Sequence, residues 1–214
     1  MRRAKTIIRP VKTTFAFLVD GDCEYWYIQL LKRNEQNLKV DLKPEIPQRK
    51  ELSDLYMKAK ELSKDYTKVF WIVDFDVIQK ETRETPKGKK TPMQYFKEYY
   101  ADLRSNYENV IVIINNPCLE YWYLLHFVKT TRHYEKYDSL KPDLRKYLPN
   151  YDKSQKYYMQ KDDIYKKLKP FLPAAIANAK STNTFEVNNP CGIAQMHLFY
   201  DTEINSKKII EMLF

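Results

Sequence analysis

FLVDGDCEYWY, residues Phe17 to Tyr27, runs from apolar residues straight into three carboxylates within five positions, Asp20, Asp22 and Glu24, with Gly21 among them. Thr14 to Val19 favours β structure, and Glu24 to Arg33 carries Trp26, Tyr27, Leu30 and Leu31 at helical spacing. The stretch therefore reads as a strand, a sharp turn and a helix. Glycine would let the backbone turn and approach a ligand closely. With three glycines in 214 residues, against an average near 7%, none is expected to be filler.

The same unit recurs along the chain. Val40 to Ile46 alternates but contains Pro44, so it is expected as a weaker strand near a sheet edge. Leu52 to Asp65 follows as a helix. Lys68 to Val73 (KVFWIV) and Asn109 to Ile114 (NVIVII) are uninterrupted apolar runs of the kind covered on both faces of a sheet. Between them, Gln79 to Pro92 is polar and carries Gly88, which predicts an exposed loop before a helix from about Met93 to Tyr107. Four βα units in order predict an α/β fold, a doubly wound, mainly parallel four-stranded sheet over residues 14–128. Residues 1–13 form a basic extension. From 129 to 214 no further strand is expected; helical stretches near Asp162 to Leu168, Pro173 to Asn183 and Ser206 to Leu213 predict a helical part packed on the same domain.

Composition narrows the classes of function. Lys and Arg outnumber Asp and Glu by 37 to 28, a net charge of +9 that favours polyanionic partners. The basic start lacks the apolar core of a signal peptide, and no run approaches the roughly 18 apolar residues of a membrane span, so a cytoplasmic protein with no membrane partner is expected. Cys23, Cys118 and Cys191 are unpaired in spacing, and His126, His133 and His197 are scattered, which supports neither disulfides nor a zinc site.

Chemistry is expected from two acidic clusters. In VFWIVDFDVI, Asp74 and Asp76 follow an apolar strand, and at i and i+2 in extended chain their carboxylates would point the same way. Mg²⁺ takes one or two protein carboxylates together with waters and phosphate oxygens, so such a pair suits phosphate chemistry with Mg²⁺ or Mn²⁺. Strand C-terminal ends meet at the switch-point crevice of a doubly wound sheet, which would bring Asp20 to face Asp74 and Asp76 across a metal. Acids in these positions also cap helices, a purely structural use. Glu120, inside the apolar LEYWYLLHFV, needs a partner if buried: a Lys or Arg, or the crevice itself as added ligand or base. Asn116 and Pro117 are expected to fix the start of its helix, and Trp122 and His126 to pack.

LVDGDCE, VFWIVDFD, NNPCLEYWYLLHF (Asn115 to Phe127) and NNPCGIAQMHL (Asn188 to Leu198), in that order, resemble the RloB family. The resemblance implies a Toprim-like N-terminal half, an association with restriction operons and phage abortive infection, and an ATPase partner encoded nearby. Toprim enzymes use a glutamate after the first strand and a DxD after the third to hold Mg²⁺ for phosphodiester chemistry, and Asp74 and Asp76 match the DxD. Asp20 stands where the family usually has Glu, with Asp22 and Glu24 as further candidates for that role. The implied function is a Mg²⁺-dependent nuclease of phage defence acting on DNA or RNA. The alternative is a non-catalytic, nucleic-acid-binding or regulatory subunit of a defence complex. Arg2, Arg3, Lys5 and Arg9, with Lys87, Lys89 and Lys90 after the DxD, are the expected phosphate contacts. The stretch HYEKYDSLKPDLRKYLPNYDKSQKYY (His133 to Tyr158) interleaves tyrosine with lysine and could stack bases.

Overall fold

A computed structural model describes residues 13–181 and 191–214. The chain forms β1 (Thr14–Leu18), α1 (Asp22–Asn34), β2 (Asp41–Glu45), α2 (Leu52–Leu62), β3 (Lys68–Asp74), α3 (Phe75–Glu84), α4 (Pro92–Asn106), β4 (Val110–Asn116) and α5 (Leu119–Leu125). Short elements follow: α6 (Tyr137–Arg145), α7 (Gln155–Tyr158), α8 (Ile164–Leu168), α9 (Leu172–Ser181), β5 (Ile193–Ala194), α10 (His197–Tyr200), β6 (Glu203–Ile204), β7 (Lys207–Lys208) and α11 (Ile209–Leu213). The main sheet has the order β2-β1-β3-β4-β5, parallel except for β5.

Alternation along the apolar strands builds two cores. Phe15, Phe17, Phe70, Ile72 and Ile113 face α1, α5 and most of the C-terminal elements. Ala16, Leu18, Val69, Trp71, Val112 and Ile114 face α2, α3 and α4. Both faces are covered, which is why β1, β3 and β4 read as continuous hydrophobic runs. Pro44 lies in β2, at the edge of the sheet, where its missing N–H costs no central ladder bond.

Three expectations change. The sheet has a fifth strand: Ile193 and Ala194 pair antiparallel with Asn116 and Asn115, and Gln195 extends the contact by accepting from Ile114 N at 3.0 Å. With β6 and β7 each only two residues long, these C-terminal strands carry too few residues for an alternation signal. The polar stretch after Ile78 is helical to Glu84, so the expected loop shrinks to 85–91; Phe75 and Ile78 anchor α3 on the sheet while its outer face stays charged. The tyrosine-rich stretch is mainly core. Tyr134, Tyr151, Tyr157 and Tyr158 are buried, and Tyr151 and Tyr158 share a 2.8 Å hydrogen bond.

Trp122 and His126 pack as expected: Trp122 Nε1 donates to Tyr27 Oη at 3.1 Å, and the His126 ring lies edge-on to Trp122. Among the described residues no disulfide forms. Among the described residues no helix is long and apolar enough to cross a membrane. Arg2, Arg3, Lys5 and Arg9 lie outside the described residues, as do Asn188 to Pro190.

Gly192 leads into β5 against the start of α5. A Cβ there would collide with the Tyr121 ring and with the carbonyl of Arg132, and the latter is backbone that cannot swing away. Gly192→Ala should cost about 1–3 kcal/mol, as overpacked core positions do. Chemical denaturation should show a lowered midpoint at unchanged slope; an unshifted midpoint would mean that β5 is not packed in this way.

Candidate active site

Chain order reverses between β1 and β3, since β2 lies on the outer side of β1 and β4 beyond β3. The crevice at the carboxyl ends of those two strands is where doubly wound sheets bind ligands. Asp20 follows β1, Asp74 ends β3, and Asn115 and Asn116 end β4 beside Asp74. Glu24 reaches the same place from the first turn of α1, Asp76 from the first turn of α3, and Glu120 from that of α5.

Local backbone contacts hold these acids. Asp74 Oδ1 accepts from Leu119 N at 3.0 Å, and Asp76 N donates to Pro117 O at 3.1 Å, so the β3–α3 and β4–α5 junctions are tied together. The Asn116–Pro117 peptide is cis. Gly21 has extended φ and ψ of −123° and 159°, so no left-handed turn requires glycine there. Space does. A Cβ on Gly21 would crowd Glu24 Oε2, which folds back over the start of its own helix and would have to swing away.

Glu120 is fully buried, and its Oε1 accepts from Tyr151 Oη at 2.7 Å and Lys153 Nζ at 2.9 Å. Its Oε2 has no hydrogen-bond partner. Of the five buried side-chain atoms unpartnered among the described residues, four belong to Glu120, Asn115 and Asn116. Buried polar atoms rarely go unsatisfied, and here they collect at the carboxyl ends of β3 and β4.

The electrostatics follow from burial and crowding. Glu24, 4% exposed, is pushed up to about 8, first by burial and then by Asp20 and Glu120. Burial likewise raises Asp74 well above the ordinary carboxylate range, with Glu24, Asp20, Glu120 and Asp76 adding repulsion. Asp20 is raised by burial, opposed by a hydrogen bond to its own backbone and by Lys50. Asp76 is raised by burial, opposed chiefly by Lys153. Burial works against the charge of Lys153, yet the Glu120 carboxylate prevails and holds its ammonium above the usual lysine value.

Asp20, Asp74 and Asp76 thus share one crevice with Glu24 and Glu120, whereas Asp22 is exposed and stands apart. The extended-chain argument for Asp74 and Asp76 does not hold, because the strand ends at Asp74 and Asp76 is helical. Lys87, Lys89 and Lys90 lie in the loop between α3 and α4. Lys90 pairs with Glu98. The ammonium that meets the acids is that of Lys153, which no motif marked in the sequence.

The donor chemistry suits a hard divalent cation: carboxylate oxygens in excess of nearby positive charge. Among the described residues, no three His, Cys, Asp or Glu side chains are arranged as a ready-made metal set. One or two carboxylates suffice for Mg²⁺, with water and phosphate completing its shell.

The RloB-like protein family matches residues 16–201. The chain belongs to the RloB family. No curated protein and no solved structure matches it. The RloB span opens in β1 and closes after α10, so it contains all five crevice acids and Lys153.

Glu24 sets a pH dependence with a definite sign. Its folded-state value of about 8 exceeds the ordinary 4.5, so the folded protein holds the extra proton between these values. Stability should fall as pH rises through that window. In chelator, the melting temperature should decline from pH 6.5 to 8, and Glu24→Gln should flatten the decline and melt higher at pH 8. Parallel slopes in parent and variant would rule Glu24 out as the source.

Proposed function

We propose that this RloB-family chain is a divalent-cation-dependent nuclease of phage defence, built on a Toprim-like domain and working beside an ATPase partner. One observation carries the proposal: carboxylates from the carboxyl ends of β1, β3 and β4 gather in the switch-point crevice of a protein with a net charge of +9. The strand order β2-β1-β3-β4, with an acid after β1 and two after β3, supports the Toprim-like assignment.

Asp20, Asp74 and Asp76 would hold Mg²⁺ or Mn²⁺, which when bound polarises a phosphate oxygen and lowers the pKa of a bound water. The chain's own groups fill the remaining roles. Asp74 is oriented by Leu119 N–H, so its free oxygen is fixed relative to the sheet. Glu24, beside Asp20 at the start of α1, is placed to exchange a proton with a leaving oxygen. Glu120 anchors Lys153, whose ammonium can meet the phosphate that the acids alone would repel.

A second use of the same site is supported by the absence, among the described residues, of a ready-made three-carboxylate set and by Asp20 standing where the resemblance implies a glutamate. In that case the chain binds nucleic acid or regulates a complex without cutting.

Purified protein, incubated with DNA and RNA pools in Mg²⁺, Mn²⁺ or chelator, with and without the ATPase, tests the proposal. Asp74→Asn with Asp76→Asn should reduce cleavage to background while binding stays equal or tightens, since charge repelling phosphate is removed. Melting should not drop, because asparagine can still accept from Leu119 N–H. Equal cleavage by parent and double variant would place the activity elsewhere. Asp20→Glu separates the two uses. An aspartate adapted to its site should lose about 10²-fold on displacement; a site one methylene short should gain. Silence of both proteins in the presence of the ATPase would favour the binding subunit.

A further inference from the structure

Two exposed aromatic side chains, Tyr147 and Phe171, meet over Phe127 where α5 runs out against the loop after α6 and the segment following α8. Phe127 and Tyr147 stack nearly parallel, with centroids 5.1 Å apart and planes 3° from each other. Phe171 packs on Phe127 at 5.1 Å. Tyr147 is 42% exposed and Phe171 45%, so both present aromatic surface to water over a half-buried base. A groove of about 370 Å³ runs between them, with Lys167 on its wall. A second, of about 210 Å³, lies on the other side of Tyr147 and is edged by Arg132 and Lys146.

Charge indicates what such a surface receives. Residues 129–170 contain twelve Lys and Arg against six Asp and Glu, the largest part of the chain's +9 excess. Arg132 and Lys146 share a single carboxylate, Asp143, at 2.8 and 2.6 Å. Asp163 is buried against Arg33 and offers the surface no negative charge. Exposed aromatic faces, Tyr147 parallel to Phe127 and Phe171 tilted 53° from it, with net positive walls are the pattern that stacks bases and tracks phosphates of single strands. A duplex keeps its base faces inside and cannot use it.

We propose that this face binds a single-stranded nucleic acid, with unpaired bases stacking on Tyr147 and Phe171 and phosphates meeting Lys146 and Lys167. The inference rests on the nucleic-acid part of the function proposed above and names the form of the substrate. Its connection to the crevice is covalent and short. Tyr147 stands in the groove, while Tyr151 and Lys153 of the same segment bond to Glu120. Six residues of fully extended chain span at most about 20 Å, which bounds the separation of the Tyr147 and Lys153 backbones.

The test is fluorescence anisotropy with the full chain carrying Asp74→Asn, in chelator, against a labelled single strand of about 15 nucleotides and its duplex. The single strand should bind more tightly. Tyr147→Ala and Phe171→Ala should each weaken single-strand binding by about ten-fold and leave duplex binding unchanged, while Tyr147→Trp should retain it. Melting temperatures matching the parent guard against a folding defect. Equal affinity for both forms, or unaltered single-strand affinity in the double alanine variant, would overturn the proposal. So would sedimentation showing self-association that Tyr147→Ala abolishes while oligonucleotide binding persists, which would assign the face to a second copy of the chain. Cleavage by the otherwise unaltered chain is read separately. Loss of activity in Asp74→Asn with Asp76→Asn alongside normal binding by the alanine variants would sink the single-strand face and spare the nuclease. The reverse pattern would spare the face.

Discussion

The withdrawal of five crowded carboxylates from water is the constraint around which this molecule is arranged. Asp20, Glu24, Asp74, Asp76 and Glu120 sit at the carboxyl ends of strands whose bodies are wholly apolar, and burial is the largest cause of the upward shift in each of the first four. Left to solvent, such acids would ionise at ordinary values and drift apart. The sheet prevents that, because β1 and β3 are hydrogen-bonded neighbours and the residues following them must emerge side by side. Cohesion of the two cores sustains a local electrostatic cost, and acids perturbed in this way cluster at functional sites.

The C-terminal half is joined to that site by hydrogen bonds as well as by packing. Tyr151 donates to Glu120 and also meets Tyr158 at 2.8 Å, which meets Tyr123 at 3.2 Å, so a tyrosine chain runs from the crevice into the core beneath α5. A buried carboxylate with one oxygen satisfied twice and the other not at all is held rigid and yet not neutralised. Residues past 129 therefore do more than cover the sheet. They supply the cation and the hydroxyl that keep Glu120 in place.

Much of this was legible in the sequence because sheet strands buried on both faces leave an unmistakable apolar run. KVFWIV and NVIVII became β3 and β4, and Pro44 correctly placed β2 at an edge. Polar residues misled where helix geometry needs only a narrow apolar stripe: QKETRE reads as loop, yet Phe75 and Ile78 suffice to seat α3. The acids at Asp20, Asp74 and Asp76 could be found by their position after strands. Lys153 could not, since a lysine among many in a Lys- and Tyr-rich stretch carries no mark of the long-range contact it makes. Nor could the fate of the tyrosines there, because alternation with lysine looks the same whether the rings point outward or, as in Tyr134, Tyr151 and Tyr158, into the core.

Gly21 and Glu24 together shape the end of β1 beside Asp20. Four residues later, one turn into α1, Glu24 folds back so that its carboxylate lies close against the place where a side chain on residue 21 would begin. That space exists only because residue 21 is glycine. Glu24 thus reaches the end of β1 from the helix, and Asp20 beside it adds to the burial that raises its affinity for protons. An aspartate, a glycine and a helical glutamate then form one device at the end of β1. The scarcity of glycine in this chain points to the same conclusion as the geometry: at residue 21 it is the volume of a missing side chain, rather than backbone freedom, that the site uses.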